Sequence, residues 1–461
     1  MSHKVASSSP QNVAVLVFPF ASHPGSLLRF VRSISTVAPD MQFTFFNTSR
    51  SNSSLFSSSG KKGCDNVKPY NVWDGLPDDY IPLSRNPLEQ IELFLDNALG
   101  NFEKAIKEVE AETGHKFGCL ISDAFLWFAG DIAEKMHVSW VPLWICGQRS
   151  LLVHIETDII REKVGALGQE DKTVDFLPGF SDQFRACDLP KEALFGDIES
   201  PFTKMLYKMG QKLPQATVVV INSIENMDFT VTEELKKRLQ KLLLVGPLHL
   251  VRPVPSVISD DEEEEKDVCL QWLDNHRPAS VAYISFGSLG ALPPMEVAAL
   301  AEALEEGGFP FLWSFRGNQE DFPQGFIERT NRLSIGKVVP WVNQEQILNH
   351  TSIGVHVTHC GWNSILESVT CSVPLIGRPD FADQHINMRS VEVVWKIGVR
   401  IEGGVFTKSG AVKALEQVLL LEQGKQMRHR VGVLKQLAQE AVGPNGRSAQ
   451  DLKALVEIIK T

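Results

Sequence analysis

Residues 353–367 read IGVHVTHCGWNSILE, and this stretch decides how the second half of the chain is folded. Its first part, Gly354–Val357, is a short apolar run typical of a strand buried in a parallel sheet. Asn363 and Ser364 are residue types that commonly begin a helix. Gly361 lets the chain turn tightly between the two elements. The stretch therefore predicts a strand, a tight turn and a helix.

The same alternation of apolar strand and helix extends outward from this unit in both directions. Apolar strands without polar alternation indicate parallel sheets covered by helices on both faces, so the predicted fold class is α/β with doubly wound sheets. Strands are predicted at Val13–Phe18, Phe43–Phe46, Cys119–Ile121, Val218–Ile221, Ser280–Phe286, Phe309–Phe315, Lys337–Val339, Gly354–Val357 and Val373–Ile376. Helices are predicted at Ser26–Ile34, Asp131–Met136, Pro294–Glu306, Gln344–Asn349, Asn363–Val369, Gln384–Trp395, Lys408–Leu421, Gly424–Ala441 and Ser448–Ile459.

A break in composition divides the chain into two halves of similar size. Residues 251–266 read VRPVPSVISDDEEEEK, with two prolines and six consecutive acidic residues, which is typical of a solvated linker. We therefore expect a first Rossmann-like domain over 1–250 and a second over 267–441, facing each other across a cleft. A final helix within 442–461 is expected to pack back on the first domain.

The net charge and the cysteine content of the chain indicate which ligands and which cellular compartment to expect. The 461 residues include 56 acidic and 45 basic side chains, so bulk charge disfavours nucleic acid. Seven cysteines without CxxC or zinc spacing indicate a reduced, cytoplasmic chain without a metal site. The first apolar run is too short for a signal sequence or membrane span. We expect a monomer that inserts into no membrane.

The sequence lacks the motifs of several common α/β enzymes. No GxGxxG follows a strand, which argues against an NAD-dependent oxidoreductase. No GxxxxGK[ST], HExxH or GxSxG occurs either, which disfavours P-loop kinases, zinc proteases and serine hydrolases.

Several side chains near the predicted turn suit a negatively charged nucleotide. The N–H groups at the start of the helix can bind a diphosphate, with His359 and Trp362 beside them. Glu367 lies about one turn beyond Asn363, so its carboxylate faces the same ligand and suits a ribose diol. Trp341 offers a flat ring for stacking on a base.

Asp383 and Gln384 begin the next predicted helix and supply acceptors and a donor for sugar hydroxyls. Each of these features alone has an ordinary explanation, because Asn and Ser commonly cap helices and a Trp more often belongs to a core. Their order across residues 341–384 is what indicates a ligand site.

A second candidate group lies in the first half. His23 follows the first strand in FPFASHPG, and Asp123 ends another strand in ISDAF. A histidine in a loop is usually ordinary, but these two lie at the carboxyl edge of a parallel sheet, where ligands bind. A carboxylate on one ring nitrogen would orient the imidazole as a general base.

Residues 341–384, together with FPFASH (18–23), SVAYISFG (280–287) and GVFTK (404–408), resemble the plant family-1 UDP-sugar-dependent glycosyltransferases. The resemblance covers essentially the whole chain and is strongest to the flavonoid 3-O-glycosyltransferase branch, whose acceptors are flavonols and anthocyanidins. It implies the GT-B fold, with the donor held mainly by the second domain. It also implies inverting transfer that uses a UDP-sugar as co-substrate and needs no cofactor or metal.

The resemblance assigns roles to individual residues. Catalysis falls to His23 as general base and Asp123 as its partner. Trp341 stacks on uracil, Gln344 and Glu367 bind uridine, and Trp362, Asp383 and Gln384 contact the sugar. The diphosphate is contacted by His359, Asn363, Ser364 and Ser288, while Val342 and Ile145 complete the donor set. The acceptor set is Ala21, Leu88, Phe125, His154, Phe202 and Phe381.

The chain departs from the family pattern at several positions. Leu88 stands where flavonol-binding relatives often have Gln, which would admit a bulkier or more apolar acceptor. Asn343 replaces a usual Pro and Ser372 a usual Gly. Ile145 stands where glucose-using relatives carry a Thr that reaches the sugar 6-hydroxyl. An Ile packs well against a 6-methyl group and leaves a 6-hydroxyl unpaired.

These features predict UDP-rhamnose as donor, narrowly ahead of UDP-glucose, for which Gln384 is typical. Galactose is disfavoured because galactose-using members tend to carry His there. Three alternatives remain: a UDP-glucose-dependent flavonoid or anthocyanidin 3-O-glucosyltransferase, a glycosyltransferase for another small plant aglycone such as a hormone or terpenoid, and a UDP-sugar-binding protein without catalysis.

Overall fold

The computed structural model describes residues 11–56, 66–76, 88–165, 168–194, 196–251, 268–287 and 292–460. Ser288 and nearly all of the acidic linker predicted at 251–266 lie outside the described residues.

The first half forms a seven-stranded sheet in which every strand pair is parallel. Its strands are β1 (Asn12–Leu16), β2 (Gln42–Thr48), β3 (Val67–Val72), β4 (Phe117–Asp123), β5 (Ser139–Trp144), β6 (Val219–Ile221) and β7 (Leu242–Leu244). They are ordered β3-β2-β1-β4-β5-β6-β7. The order reverses direction between β1 and β4, which is the point of a doubly wound sheet where ligands bind.

The second half forms a six-stranded sheet, again wholly parallel. Its strands are β8 (Val281–Ser285), β9 (Phe311–Ser314), β10 (Gly336–Val339), β11 (Ile353–Thr358), β12 (Leu375–Gly377) and β13 (Gly398–Arg400). They are ordered β10-β9-β8-β11-β12-β13, so β8 and β11 flank the point of reversal. The predicted α/β class with two doubly wound parallel sheets is confirmed.

Helices cover both faces of each sheet. The first half contains α1 (His23–Val37), α2 (Ser49–Phe56), α3 (Leu88–Thr113), α4 (Ala129–Met136), α5 (Gln148–Ile155), α6 (Thr157–Val164), α7 (Lys191–Leu194), α8 (Pro201–Lys212) and α9 (Phe229–Arg238). The second contains α10 (described over 268–274), α11 (Pro294–Glu306), α12 (Phe326–Arg332), α13 (Gln344–Leu348), α14 (Trp362–Thr370), α15 (Gln384–Arg389), α16 (Lys408–Leu419), α17 (Glu422–Val442) and α18 (Arg447–Lys460). Of the helices described, none has the length and apolar character needed to span a bilayer.

The last helix, α18, packs on the first sheet although it follows the second in sequence. Its apolar face is buried with strand residues of the first domain. The Ser448 hydroxyl donates to the carbonyl oxygen of Gly246 at 2.7 Å, and the Asp451 carboxylate accepts from the Leu244 N–H at 3.0 Å. The chain thus crosses back to the domain in which it began.

A buried ion cluster joins the two halves next to α15. Asp188, fully buried in the first half, accepts from Arg389 Nε at 2.9 Å and from Arg400 Nη2 at 3.0 Å. Both arginines belong to the second half. Since the cost of burying a carboxylate is offset only by such partners, this cluster fixes α15 against the first domain.

Candidate active site

The tight turn predicted between β11 and α14 is present and spans residues 359–361. Gly361 has an extended backbone, with φ −61°, and is the N-cap of α14. The left-handed residue of the turn is Cys360, with φ 66°. The unusual backbone conformation in this turn therefore belongs to Cys360, and Gly361 itself is extended. Gly361 is needed for space instead, because a Cβ atom there would lie 2.5 Å from Nε2 of His359.

His359 lies between two glycines at the ends of neighbouring strands. A Cβ atom on Gly287, which follows β8 with φ 76°, would lie 2.7 Å from Cε1 of the same ring. Burial lowers the pKa of His359 to about 4, so the ring is neutral near pH 7. A neutral imidazole can donate one hydrogen bond to an anion but adds no full positive charge.

Asn363 and Ser364 lie inside the first turn of α14 and do not cap it. Gln344, at the start of α13, donates through Nε2 to Ser364 Oγ at 3.1 Å and to Glu367 Oε2 at 2.6 Å. Burial raises the pKa of Glu367 to about 7, and the hydrogen bond from Gln344 opposes that rise. The structure therefore brings Gln344, Ser364 and Glu367 into direct contact.

A cavity of about 1090 Å³ lies between the two halves. The second half contributes Trp341, Asn363 and Glu367 to its wall, and the Trp341 ring is 41% exposed. Val342, the next residue, is instead buried in the core. The lining from the first half includes Ala21, Pro24, Ser26, Arg29, Asn222 and Leu248.

Trp362 connects the start of α14 to the first domain. Its indole Nε1 donates to the carbonyl oxygen of Asn222 at 2.8 Å. Its ring also packs so closely on Gly147 that a Cβ atom there would lie 2.7 Å away. The indole of Trp362 therefore contacts the first domain. The part of Trp362 that can face a ligand is its backbone at the start of α14.

His23 and Asp123 are in direct contact at the carboxyl edge of the first sheet. His23 is the first residue of α1 and Asp123 the last of β4, and both side chains are buried. His23 Nδ1 lies 2.7 Å from Asp123 Oδ2, while Asp123 Oδ1 accepts from the Phe125 N–H at 2.9 Å. Within the described ranges, no group of three or more His, Cys, Asp or Glu side chains is arranged to hold a metal ion.

Asp383 lies across the cleft from this pair. It is the N-cap residue of α15, and its Oδ2 accepts from Asn387 Nδ2 at 2.8 Å. Burial raises the pKa of Asp383, and hydrogen bonds from Asn387 and the Cys146 thiol oppose that rise, as does the charge of His23. Asp383 of the second domain therefore contacts Cys146 of the first domain.

Cys146 belongs to the site but carries no motif that would have predicted it. Burial raises the pKa of its thiol well above the ordinary value, so it stays protonated and can donate to Asp383. Its position directly after Ile145, at the end of β5, was the signal available. Gln384 is also buried, and its Oε1 accepts from the N–H groups of Asp380 and Phe381 at 2.9 and 3.3 Å. Its NH₂ group is the part left for a ligand.

The predicted acceptor residues divide into two groups. Phe125 packs on His23 with ring centroids 4.5 Å apart, and Phe125 and His154 both contact the ring of Trp144. Phe202 packs against the same core.

The other acceptor residues are more exposed or line the cavity. Ala21 lines the cavity with a left-handed backbone, φ 52°. Phe381 and Leu88 are 40% and 37% exposed. Ile145, from the donor set, is only 5% exposed and belongs to the core under α1 and α18.

Two doubly wound parallel-sheet domains with this cavity between them have the GT-B architecture of UDP-glycosyltransferases. A solved structure described as UDP-glucose: anthocyanidin 3-O-glucosyltransferase in complex with UDP superposes with a TM-score of 0.90 at 39% identity. The match covers 98% of this chain and 99% of that chain.

The family is established by sequence. The model of the UDP-glucoronosyl and UDP-glucosyl transferase family matches residues 88–436. An anthocyanidin 3-O-galactosyltransferase of Actinidia chinensis var. chinensis is 49% identical, and a flavonol 3-O-glucosyltransferase of the same plant is 48% identical. Each alignment covers 98% of this chain and 98% of the relative. The chain belongs to this family of UDP-glycosyltransferases.

Buried neutral histidines make the stability depend on pH. Burial lowers the pKa of His356, in β11, to about 3, whereas an ordinary histidine titrates near 6.5. The unfolded chain therefore binds protons first as the pH falls below 6.5, which removes up to about 1.4 kcal/mol of stability per pH unit for each such residue. We expect the melting temperature to fall between pH 6.5 and 4, and to fall less in His356→Gln.

Thermal unfolding of both proteins across this range measures the effect, with the exposed His115→Gln as the control variant. Glu367, whose pKa is raised, changes stability in the opposite sense, so only the comparison between variants isolates the histidine. An equal fall in wild type and His356→Gln would contradict the interpretation.

Proposed function

We propose that this chain transfers a sugar from a UDP-sugar to the 3-hydroxyl of a flavonol-type flavonoid, with inversion at the anomeric carbon. The observation that carries the proposal is the 2.7 Å contact between His23 and Asp123. Ser22 and Pro24, on either side of His23, line the cavity. Trp341, Asn363 and Glu367 form the wall on its other side. The names of relatives with 48–49% identity, a flavonol and an anthocyanidin 3-O-glycosyltransferase, support the acceptor class and the position.

His23 is proposed as the general base. Because Nδ1 is held by Asp123, Nε2 is the nitrogen that can take a proton from an acceptor hydroxyl. The freed oxygen attacks the anomeric carbon as the bond from that carbon to the diphosphate oxygen breaks, and UDP leaves. The buried Asp123 carboxylate stabilises the imidazolium formed in this step. The proton then passes from His23 to solvent or to the departing product.

The second domain is proposed to hold the donor and stabilise the leaving group. Trp341 stacks on the uracil, and Glu367, positioned by Gln344, accepts from the ribose hydroxyls. The N–H groups at the start of α14 and the neutral ring of His359 donate to the diphosphate, where negative charge grows as UDP departs. Asn363 and Ser364 lie on the same first turn and add further donors.

The acceptor is proposed to lie beside Phe125, against the ring of His23. A planar polyphenol suits an aromatic wall with a polar contact at one end. His154 offers such a contact, because its buried Nδ1 has no hydrogen-bond partner among the described residues, and burial lowers its pKa to about 4. A buried polar atom without a partner is costly unless a ligand satisfies it.

Two donor sugars are supported by different observations. Ile145, directly after β5, stands at the position that the family resemblance assigns to the sugar 6-hydroxyl, and it has no hydrogen-bonding group for it, which favours the 6-deoxy sugar of UDP-rhamnose. Its side chain packs in the core in the structure, so this preference for rhamnose rests on the resemblance. Gln384 and the name of the flavonol 3-O-glucosyltransferase favour UDP-glucose. We place UDP-rhamnose narrowly first, because a buried hydroxyl left unpaired against Ile145 loses more than a methyl group there.

Purified protein should be given kaempferol with UDP-rhamnose, UDP-glucose or UDP-galactose in separate reactions. The products should be separated by chromatography and identified by mass spectrometry. We expect the highest kcat/KM with UDP-rhamnose. Ile145→Thr should raise the glucose-to-rhamnose ratio of kcat/KM about tenfold, because the new hydroxyl pairs with the sugar. Ile145→Val is the matched control and should keep the wild-type ranking.

Turnover with UDP-glucose alone would exclude the rhamnose assignment. An unchanged ratio in Ile145→Thr would remove residue 145 from donor selection. A second panel of anthocyanidin, hormone and terpenoid acceptors separates a flavonoid enzyme from one acting on another aglycone.

The proposed base is tested by His23→Ala. We expect kcat to fall by about 10²–10⁴-fold while the Kd for UDP stays within about twofold, because His23 is proposed to touch the acceptor and not the nucleotide. Asp123→Asn should show a fall in kcat as well, since it keeps the shape but loses the charge that orients and stabilises the ring. Full turnover by His23→Ala would refute the mechanism. UDP binding by the wild type without transfer to any acceptor would support a non-catalytic binder.

A further inference from the structure

Asn222 of the first domain contacts the start of α14 in the second domain. It directly follows β6, and its backbone N–H extends the sheet by donating to the Trp144 carbonyl oxygen at 3.1 Å. Its side chain is buried, yet it also lines the cavity between the halves. It is therefore fixed by the first sheet and reaches the proposed diphosphate site from the other side of the cleft.

The side-chain amide of Asn222 has only one possible orientation. Its Oδ1 accepts from the backbone N–H of Leu248 at 2.9 Å. A backbone N–H can only donate, so the oxygen of Asn222 must face Leu248 and the NH₂ group must face the opposite way. That NH₂ group donates to Oδ1 of Asn363 at 3.4 Å.

This contact in turn determines the orientation of Asn363. Because its Oδ1 accepts from Asn222, its Nδ2 points away from Asn222 and donates to Ser26 Oγ at 3.1 Å, on the wall of the cavity. The opposite orientation would present a carbonyl oxygen to the cavity. For an anionic ligand the difference is large, because an N–H donor attracts a phosphate oxygen and a carbonyl oxygen repels it.

A second contact fixes the distance between the same two segments. The carbonyl oxygen of Asn222 accepts from Trp362 Nε1 at 2.8 Å, so two consecutive residues of α14 are held by one residue of the first domain. The amide pair of Asn222 and Asn363 therefore has a fixed separation as well as a fixed polarity.

We propose that Asn222 is a positioning residue for the donor, which holds Asn363 with its NH₂ group toward the diphosphate of the UDP-sugar. The proposal rests on the proposed function, since it assumes that UDP occupies the cavity. It makes the phosphate site depend on a residue of the first domain, so that the site is complete only when the two halves are in contact.

The test is a double-mutant cycle on UDP affinity, measured by isothermal titration calorimetry with the full chain. Asn222→Asp keeps the acceptor for Leu248 and loses the donor, so Asn363 turns its NH₂ group toward residue 222 and its oxygen toward the cavity. We expect UDP to bind about tenfold more weakly. Uridine, which has no phosphate, should bind within about twofold of wild type.

The Asn363→Ala background separates positioning from other effects. If Asn222 acts through Asn363, then Asn222→Asp changes the UDP affinity of Asn363→Ala by less than about twofold, because the group it orients is gone. An equal loss in both backgrounds would mean direct charge repulsion or a packing defect and would overturn the proposal. Asn222→Ser, whose shorter side chain no longer reaches Asn363 and which adds no charge, goes through the same cycle should Asn222→Asp fail to fold.

Ser223→Ala is the matched control. It removes a buried hydrogen bond at the next residue, from Ser223 Oγ to Gln148 Oε1 at 2.8 Å, without touching α14. UDP affinity should remain at the wild-type value. If Asn222→Asp binds UDP as tightly as the wild type does, the positioning role is overturned and the proposed function is not. If the wild type itself does not bind UDP, the proposed function and the positioning role are both overturned.

Discussion

The hydrogen bond from the Trp362 indole to the Asn222 carbonyl oxygen is the contact on which the site depends. It joins the start of α14 to the end of β6, and the close packing of the same ring on Gly147 leaves no freedom in the approach. The turn that carries His359 belongs to one domain and His23 to the other. This contact sets the position of the turn against the first domain, and the Asp188 ion cluster beside α15 holds the same two halves together.

The parallel sheets explain why so many polar residues lie close together at the candidate active site. His23 and Asn222 follow β1 and β6, and Asp123 is the last residue of β4. The three strands end at the same edge of the first sheet. His359 follows β11 at the corresponding edge of the second sheet. Side chains at such edges are supported by the sheet and are not covered by a crossover helix. They can therefore be both rigid and accessible to a ligand.

The sequence predicted most strands of the two sheets, but not all of them. All nine predicted strands overlap observed ones, because unbroken apolar runs are a strong signal for buried parallel strands. Four of the described strands, β3, β5, β7 and β13, were not predicted. β3 and β5 contain a proline, Pro69 and Pro142, which argues against a strand. β7 and β13 are only three residues long. The 26-residue α3 was also missed, although its buried residues Phe94, Ala98 and Phe102 show helical spacing.

Site residues could be predicted from the sequence only where the residue type and its position next to a strand or helix end indicate a function. The spacing of Asn363 and Glu367 identified one wall of the cavity, and His23 with Asp123 stood at strand ends. Asn222 gave no signal, because its importance comes from facing Leu248 on one side and Asn363 on the other. Cys360 was missed for a similar reason, since its left-handed backbone is imposed by the turn and is not a preference of cysteine.

The central claim is that His23 of the first domain faces an anomeric carbon whose nucleotide is held by the second. The most direct measurement is a crystal structure with UDP and a flavonol bound together. The account predicts the uracil on Trp341, the diphosphate at the start of α14, and the acceptor 3-hydroxyl about 2.6–3.2 Å from Nε2 of His23. A flavonol bound with no hydroxyl near that nitrogen, or UDP bound away from α14, would contradict it.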